Sequence, residues 1–105
     1  MKFPSLVIAC GLATLGACTW VKLEKPGAQV RVVSAQQSLA GCTFKGDITT
    51  TVTNRVVGVE RNSIKVADEL ETLARNEAAG LGANTLQPQT EAVAGEQHFR
   101  AYLCP

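Results

Sequence analysis

An uncharged apolar run that closes on Cys18 decides how much of this chain is left to fold. Leu6 to Leu15 carries no charged residue, follows Lys2, and leads into Gly16-Ala17-Cys18. A short positive stretch, an apolar segment of this length and small residues before a cut are the marks of a secretory signal. The run from Ser5 to Thr19 is shorter than the roughly 20 residues needed to span a bilayer core of about 30 Å, and no charge cluster follows it. Cutting after Ala17 removes residues 1–17 and leaves 88 of the 105. That is room for one domain, with a core small enough to want a covalent staple.

Leu15-Gly16-Ala17-Cys18 resembles the bacterial lipobox. Leu15 stands where the lipoprotein signal peptidase takes a branched apolar residue, and Gly16 and Ala17 are small enough to let the extended backbone enter it. The Cys18 thiol is then the group that takes a diacylglyceryl chain through its sulfur. A single acyl chain binds membranes marginally, but several together hold firmly, at about 0.8 kcal/mol per buried methylene. An acylated Cys18 would thus tie the chain to a lipid bilayer without a transmembrane helix. The alternative is an ordinary secreted protein cut nearby, with Cys18 as a leftover thiol. Residue 19 is Thr rather than the Asp that favours inner-membrane retention. By the same resemblance this implies the outer membrane, on its periplasmic face.

On this reading the cysteines sort by elimination. Cys10 leaves with the signal and Cys18 carries lipid, so Cys42 and Cys104 are the pair available for one intramolecular disulfide. An oxidising compartment favours the bond. Closing a loop of about 60 residues stabilises by about 4 kcal/mol in the chain-entropy picture. A metal site built on these two thiols would be short of ligands, because zinc takes about four and His98 is the only histidine. No cofactor is implied. Without Lys2, nine Lys and Arg face nine Asp and Glu. That balance carries neither a nucleic-acid footprint nor a polybasic membrane patch.

The mature chain divides into a lipidated N-terminus and tether over residues 18–29 and a folded domain over 30–105. The tether contains Pro26-Gly27, has no clean period, and reaches at most about 35–40 Å if fully stretched. Trp20 and Val21 either enter the headgroup layer, where an indole is favoured, or pack on the domain. Val30 to Ala35 is β-branched and predicts a strand. In the next strand Cys42, Phe44, Gly46, Ile48, Thr50 and Val52 alternate with Thr43, Lys45, Asp47, Thr49, Thr51 and Thr53. The first set should face the core and the second water, with a bulge at Gly46. Val56, Val57 and Val59 extend a strand or lie in a loop. Asn62 or Ser63 caps a helix to about Leu81, with Val66, Ala67, Leu70, Leu73, Ala74, Ala78 and Leu81 as its apolar stripe, Glu71 and Arg75 as an i,i+4 pair, and Gly80 or Gly82 to end it. Pro88 places the Thr85 to Gln89 strand at an edge. In the last strand, Gln97 to Cys104, either Tyr102 and Cys104 turn inward so that Cys104 meets Cys42, which is the favoured reading, or the strand twists or bulges near its end. The sum is an α+β domain, ββαββ, with one helix packed on a small antiparallel or mixed sheet.

Gly41-Cys42, the run from Ala74 through Leu81-Gly82-Ala83-Asn84-Thr85, and the ending Ala101-Tyr102-Leu103-Cys104 resemble a family of small Gram-negative envelope lipoproteins built on a domain of unknown function. More distantly, the layout is similar to the outer-membrane lipoprotein that senses envelope stress in the Rcs phosphorelay, which is richer in disulfides and has a longer tether. The resemblance brings no catalytic residue with it. In plain physical terms Gly82 supplies a positive φ at the helix end, Ala83 packs closely and Asn84 bonds the turned backbone; ligand binding at this turn is the alternative.

Catalytic machinery does not stand out. Ser34, Ser38 and Ser63 lack a nucleophile elbow, Asp68-Glu69 reads as a solvated helix face, and phosphate, calcium and zinc spacings do not appear. The expectation is a non-enzymatic accessory or interaction module of the envelope, meeting an envelope protein or the cell wall. The competing expectation is a small-ligand-binding protein or enzyme that uses the strand face His98/Arg100/Tyr102. The Thr43/Thr49/Thr51/Thr53 face is either a hydroxyl-lined binding surface or a solvated strand.

Overall fold

The computed structural model describes residues 21–56 and 59–105. In chain order the elements are α1 (Lys25–Ala28), β1 (Arg31–Val32), β2 (Thr43–Thr51), β3 (Arg55–Val56), β4 (Val59–Glu60), α2 (Ser63–Gly80), β5 (Thr85–Pro88) and β6 (Glu96–Leu103). Four strands make one mixed sheet in the order β1-β5-β6-β2, with β1 parallel to β5 and the other pairs antiparallel. The expected α+β class holds: one main helix lies on a small mixed sheet. The uncertain stretch after Asn54 forms a separate two-stranded ribbon, β3 with β4.

Helix α2 begins and ends where its residues dictate. The Asn62 side-chain oxygen accepts from Ile64 N (2.9 Å) and Lys65 N (3.2 Å), relieving two N–H groups that have no partner within the helix. At the other end Gly82 adopts φ 80°. Its N–H donates to Ala79 O and that of Ala83 to Ala78 O, both at 3.0 Å, the two bonds of a Schellman motif. Between these caps Val66, Leu70, Ala74 and Ala78 recur every four residues and are buried. Ala74 and Ala78 meet Ile48, Leu86, Phe99 and Ala101 of the sheet. Alanine at the contact lets the helix approach the sheet closely, so a small domain still buries a core. Of the predicted stripe, Ala67 and Leu73 only flank this face, and Leu81 is 39 % exposed beyond the last turn. Arg75 and Glu71 do pair, at 3.9 Å.

Four expectations need correction. The strand expected over residues 30–35 shortens to Arg31–Val32, because the Ser34 hydroxyl accepts Gln36 N (3.1 Å) and turns the chain away. Phe44 does not face the core. The β2–β6 register shifts between Phe44 and Gly46, so the extra residue, Lys45, reverses the alternation and leaves Phe44 half exposed opposite Tyr102. β5 is not an edge strand, since β1 flanks it on one side and β6 on the other. Pro88 is tolerated as its last residue because β1 pairs only as far as Leu86, so no neighbour asks for the missing N–H. Finally, Tyr102 does not turn inward. Phe99 and Ala101 face the helix, which puts Tyr102 on the opposite face. Cys104 lies just past the strand, where strand alternation no longer fixes its direction, and it is buried.

The stretch read as a tether also differs in its second half. Residues 22–28 are held against α2: Asn76 Nδ2 donates to Lys22 O (2.9 Å), Asn76 Oδ1 accepts Glu24 N (2.9 Å), and Arg75 Nη2 donates to Ala28 O (3.2 Å). Gly27 is buried against Asn76.

The connection from β5 to β6 contains a two-residue hairpin turn. Val93 and Glu96 exchange both backbone bonds (2.9 and 3.0 Å), and Ala94 and Gly95 take φ 51° and 77°, the type I′ pattern. Glycine is required at 95 because a Cβ there would meet Val52 O as well. Alanine at 94 is strained, since a left-handed non-glycine residue costs about 1 kcal/mol or more. Ala94→Asn is therefore expected to stabilise the domain by about 1 kcal/mol, by supplying the Asn-Gly pair such turns favour. A raised urea midpoint at unchanged slope is the expected readout; an unchanged or lowered midpoint contradicts this account of the turn.

Candidate functional site

The residues singled out by sequence fall into three groups. Leu15, Gly16, Ala17 and Cys18, the cleavage and lipidation motif, lie outside the described residues. Cys42 and Cys104 form a disulfide across a sequence separation of 62, with Cα atoms 4.3 Å apart. His98, Arg100 and Tyr102 line the sheet face away from the helix.

The disulfide end is built around Asn84. Its Oδ1 accepts Cys104 N (2.8 Å) and the Thr85 hydroxyl (3.0 Å), and its Nδ2 donates to Cys104 O (2.9 Å). Its backbone N–H donates to Tyr102 O (2.9 Å), and its carbonyl accepts Arg31 N (3.0 Å). The side-chain amide thus binds Cys104 as a neighbouring strand would, extending β6 by one residue past its last ladder pair. The turn that ends α2 holds the Cys104 backbone in place while its sulfur bonds to Cys42. The Gly82-Ala83-Asn84 motif has the structural role expected of it: both the oxygen and the nitrogen of the Asn84 amide are engaged by the Cys104 backbone.

On the outer face His98, Arg100 and Tyr102 of β6 each stand beside side chains of β2. His98 Nδ1 and Thr49 Oγ1 share a hydrogen bond at 3.0 Å, and His98 Nε2 lies 3.4 Å from Glu96 Oε2, an ion pair only when the imidazole is protonated. Arg100 Nε lies 3.5 Å from Asp47 Oδ1, and its guanidinium carbon stands 5.8 Å from the centre of the Phe44 ring. Phe44 and Tyr102 meet edge to face, with centroids 5.7 Å apart. These cross-strand contacts form a ladder along an open strand pair, and each exposed pair contributes roughly 1 kcal/mol or less. His98, Arg100 and Tyr102 are strung along one strand face rather than gathered around an enclosed space. Thr43, Thr49, Thr51 and Thr53 are all exposed, but the bulge at Lys45 separates Thr43 from the other three.

Sequence reading missed Arg61. Its Nη1 donates to Thr53 O (2.7 Å) and its Nη2 to Glu69 Oε2 (2.8 Å), while its backbone N–H donates to Asn54 O (2.7 Å). The hydrogen bond to Glu69 holds the guanidinium pKa above its usual value, so it stays charged. This bracket ties the end of β2 to the second turn of α2. Beside it lies a cavity of about 140 Å³ lined by Asn54, Glu60, Ser63, Val66 and Gly95 among others. A spacing of eight residues between Arg61 and Glu69, across a helix start, leaves no periodic signal to find. Among the described residues, no three His, Cys, Asp or Glu side chains are grouped so as to hold a metal ion. Nor is any helix among them long and apolar enough to cross a membrane.

The Asn84 arrangement is directly testable. Asn84→Ala strips Cys104 N and O and the Thr85 hydroxyl of their partner, and is expected to cost about 2 kcal/mol in urea unfolding of the oxidised protein. A loss below about 0.5 kcal/mol, the scatter of an ordinary surface substitution, contradicts a clamp.

Comparison with known proteins places these features in a family rather than beside a characterised relative. No curated protein and no solved structure matches the chain. Residues 21–104 match the family described as a domain of unknown function, DUF4156. The match begins at the docked N-terminal segment and ends on the second cysteine of the disulfide. The chain belongs to the DUF4156 family.

Proposed function

We propose that the protein is a small Gram-negative envelope lipoprotein, acylated at Cys18 and held at the periplasmic face of the outer membrane. In this reading its domain acts as a non-catalytic accessory or interaction module. The disulfide between Cys42 and Cys104 is the observation that carries the reading. A cross-linked pair suits an oxidising compartment reached by export. It also leaves Cys18, at the end of an apolar signal-like run, as the mature chain's one thiol outside the pair.

The outer sheet face supports an interaction role. Its aromatic and charged side chains, Phe44, Asp47, Arg100 and Tyr102, are presented on a rigid strand pair fastened at one end by the disulfide. A partner in this reading is an envelope protein or the cell wall, met on that face. The distant similarity to the Rcs stress-sensing lipoprotein supports a place in the envelope and carries no signalling role with it. A catalytic or ligand-binding use of His98, Arg100 and Tyr102 needs them to converge on one small molecule, and their open arrangement favours surface contact instead.

Two measurements in the host test this. Metabolic labelling with an alkynyl fatty acid should mark the wild-type protein in the outer-membrane fraction. Cys18→Ser should abolish the label and release the protein to the soluble periplasm. Equal labelling of the variant, or an unacylated wild-type amino terminus, contradicts the anchor. A photo-crosslinking side chain in place of Phe44 should then capture one reproducible envelope partner. Its failure to capture any, in anchored protein, contradicts the interaction role.

A further inference from the structure

The contact between Asn76 and residues 22–28 is unusual for what it holds. Asn76 spends both halves of its amide on the backbone of a segment upstream of the sheet, on Lys22 O and Glu24 N. Arg75 adds a bond to Ala28 O. The fit is close: a Cβ on Gly27 would run into Asn76. Pro26, in the first turn of α1, presets the bend that brings Gly27 down. Val30, buried in the core, follows directly.

This arrangement determines the reach between anchor and domain. If the whole stretch from Cys18 to Val30 were loose, it would reach about 40 Å. With residues 22–28 docked, the reach is limited to the four steps from Cys18 to Lys22, at most about 14 Å of chain. The exit point is set on the flank of α2, beside α1. Lys22, Leu23, Glu24 and Lys25 are all exposed there, two cations against one carboxylate. Long cationic side chains and a half-exposed leucine suit a headgroup layer, where ammonium groups meet phosphates and aliphatic stems lie against lipid.

We propose that the Asn76 clasp sets the height and orientation of the domain, holding its α1 flank against the lipid headgroup surface. This rests on the reading of Cys18 as acylated. The clasp turns a long tether into a short one and points the start of α2 away from the exit point. Ile64, 74 % exposed, lies twelve residues from Asn76, about 18 Å along the helix.

The test uses the full mature acylated protein in vesicles of phosphatidylethanolamine and phosphatidylglycerol doped with a nickel-chelating lipid. A nitroxide is placed at position 25 or position 64, and its relaxation by headgroup nickel is measured. In the wild type, position 25 is expected to relax several-fold faster than position 64. Asn76→Ala is expected to slow position 25 several-fold and erase the difference. Gly27→Ala, which blocks docking from the segment's side and leaves the helix untouched, is expected to do the same. Equal relaxation at the two positions in the wild type overturns the proposal. So does a difference that both variants preserve. Vesicle flotation separates the premises: protein that does not float removes the lipid anchor and the proposal together, whereas protein that floats without the positional difference removes the proposal alone.

Discussion

The covalent bond between Cys42 and Cys104 is the constraint on which the rest of this small domain leans. It joins the start of β2 to the end of β6, the two longest strands, and closes a loop that contains α2 and both hairpins. Without it, those strands must find each other across 62 residues of sequence separation at full entropic cost. The core that rewards the search is modest, with four alanines among its eight buried residues. Asn84 completes the junction by binding the Cys104 backbone on both its donor and its acceptor. Helix end, strand end and disulfide are therefore one unit, and loosening any part of it loosens the closure of the sheet.

Much of this was legible in the sequence, and the failures share a cause. The helix was readable because its burial repeats locally, and because Asn62 and Gly82 are the residue types that solve the end problem of a helix. The cysteine pair was readable by elimination. Face assignment failed at Phe44 and Tyr102 because one extra residue at Lys45 reverses alternation, and because Cys104 lies outside the strand that alternation governs. Gly46 marked the bulge but not its consequence. The interior place of β5 depends on a parallel partner, β1, two residues long and more than fifty positions away, which no local pattern encodes. The same holds for residues 22–28. Asn76 grips their backbone, so their side chains carry no periodic trace of the contact. Arg61 escaped for a related reason: its partners are a carbonyl and a carboxylate brought together only by the fold.

The two faces of the sheet separate stability from display. The helix side is sealed by aliphatic and alanine contacts. The other side carries Gln87, buried under the 33–42 connection through bonds to Ser34 O (3.0 Å) and Gln37 O (2.8 Å), and beside it the open ladder on β2 and β6. That ladder contributes little to stability, pair by pair. It holds aromatic and charged groups side by side along one open strand pair, the face on which the proposed interaction role rests. The docked N-terminal segment lies on neither face but along the helix flank.

The central claim is that one disulfide carries much of the stability of the domain. Urea unfolding of the domain with and without reductant measures this directly. A loop of 62 residues predicts that reduction lowers the unfolding free energy by about 4 kcal/mol, enough to bring a domain of this size close to unfolding. A reduced protein that unfolds within about 1 kcal/mol of the oxidised one, at the same slope, would show that the sheet closes without its cross-link and would contradict the account.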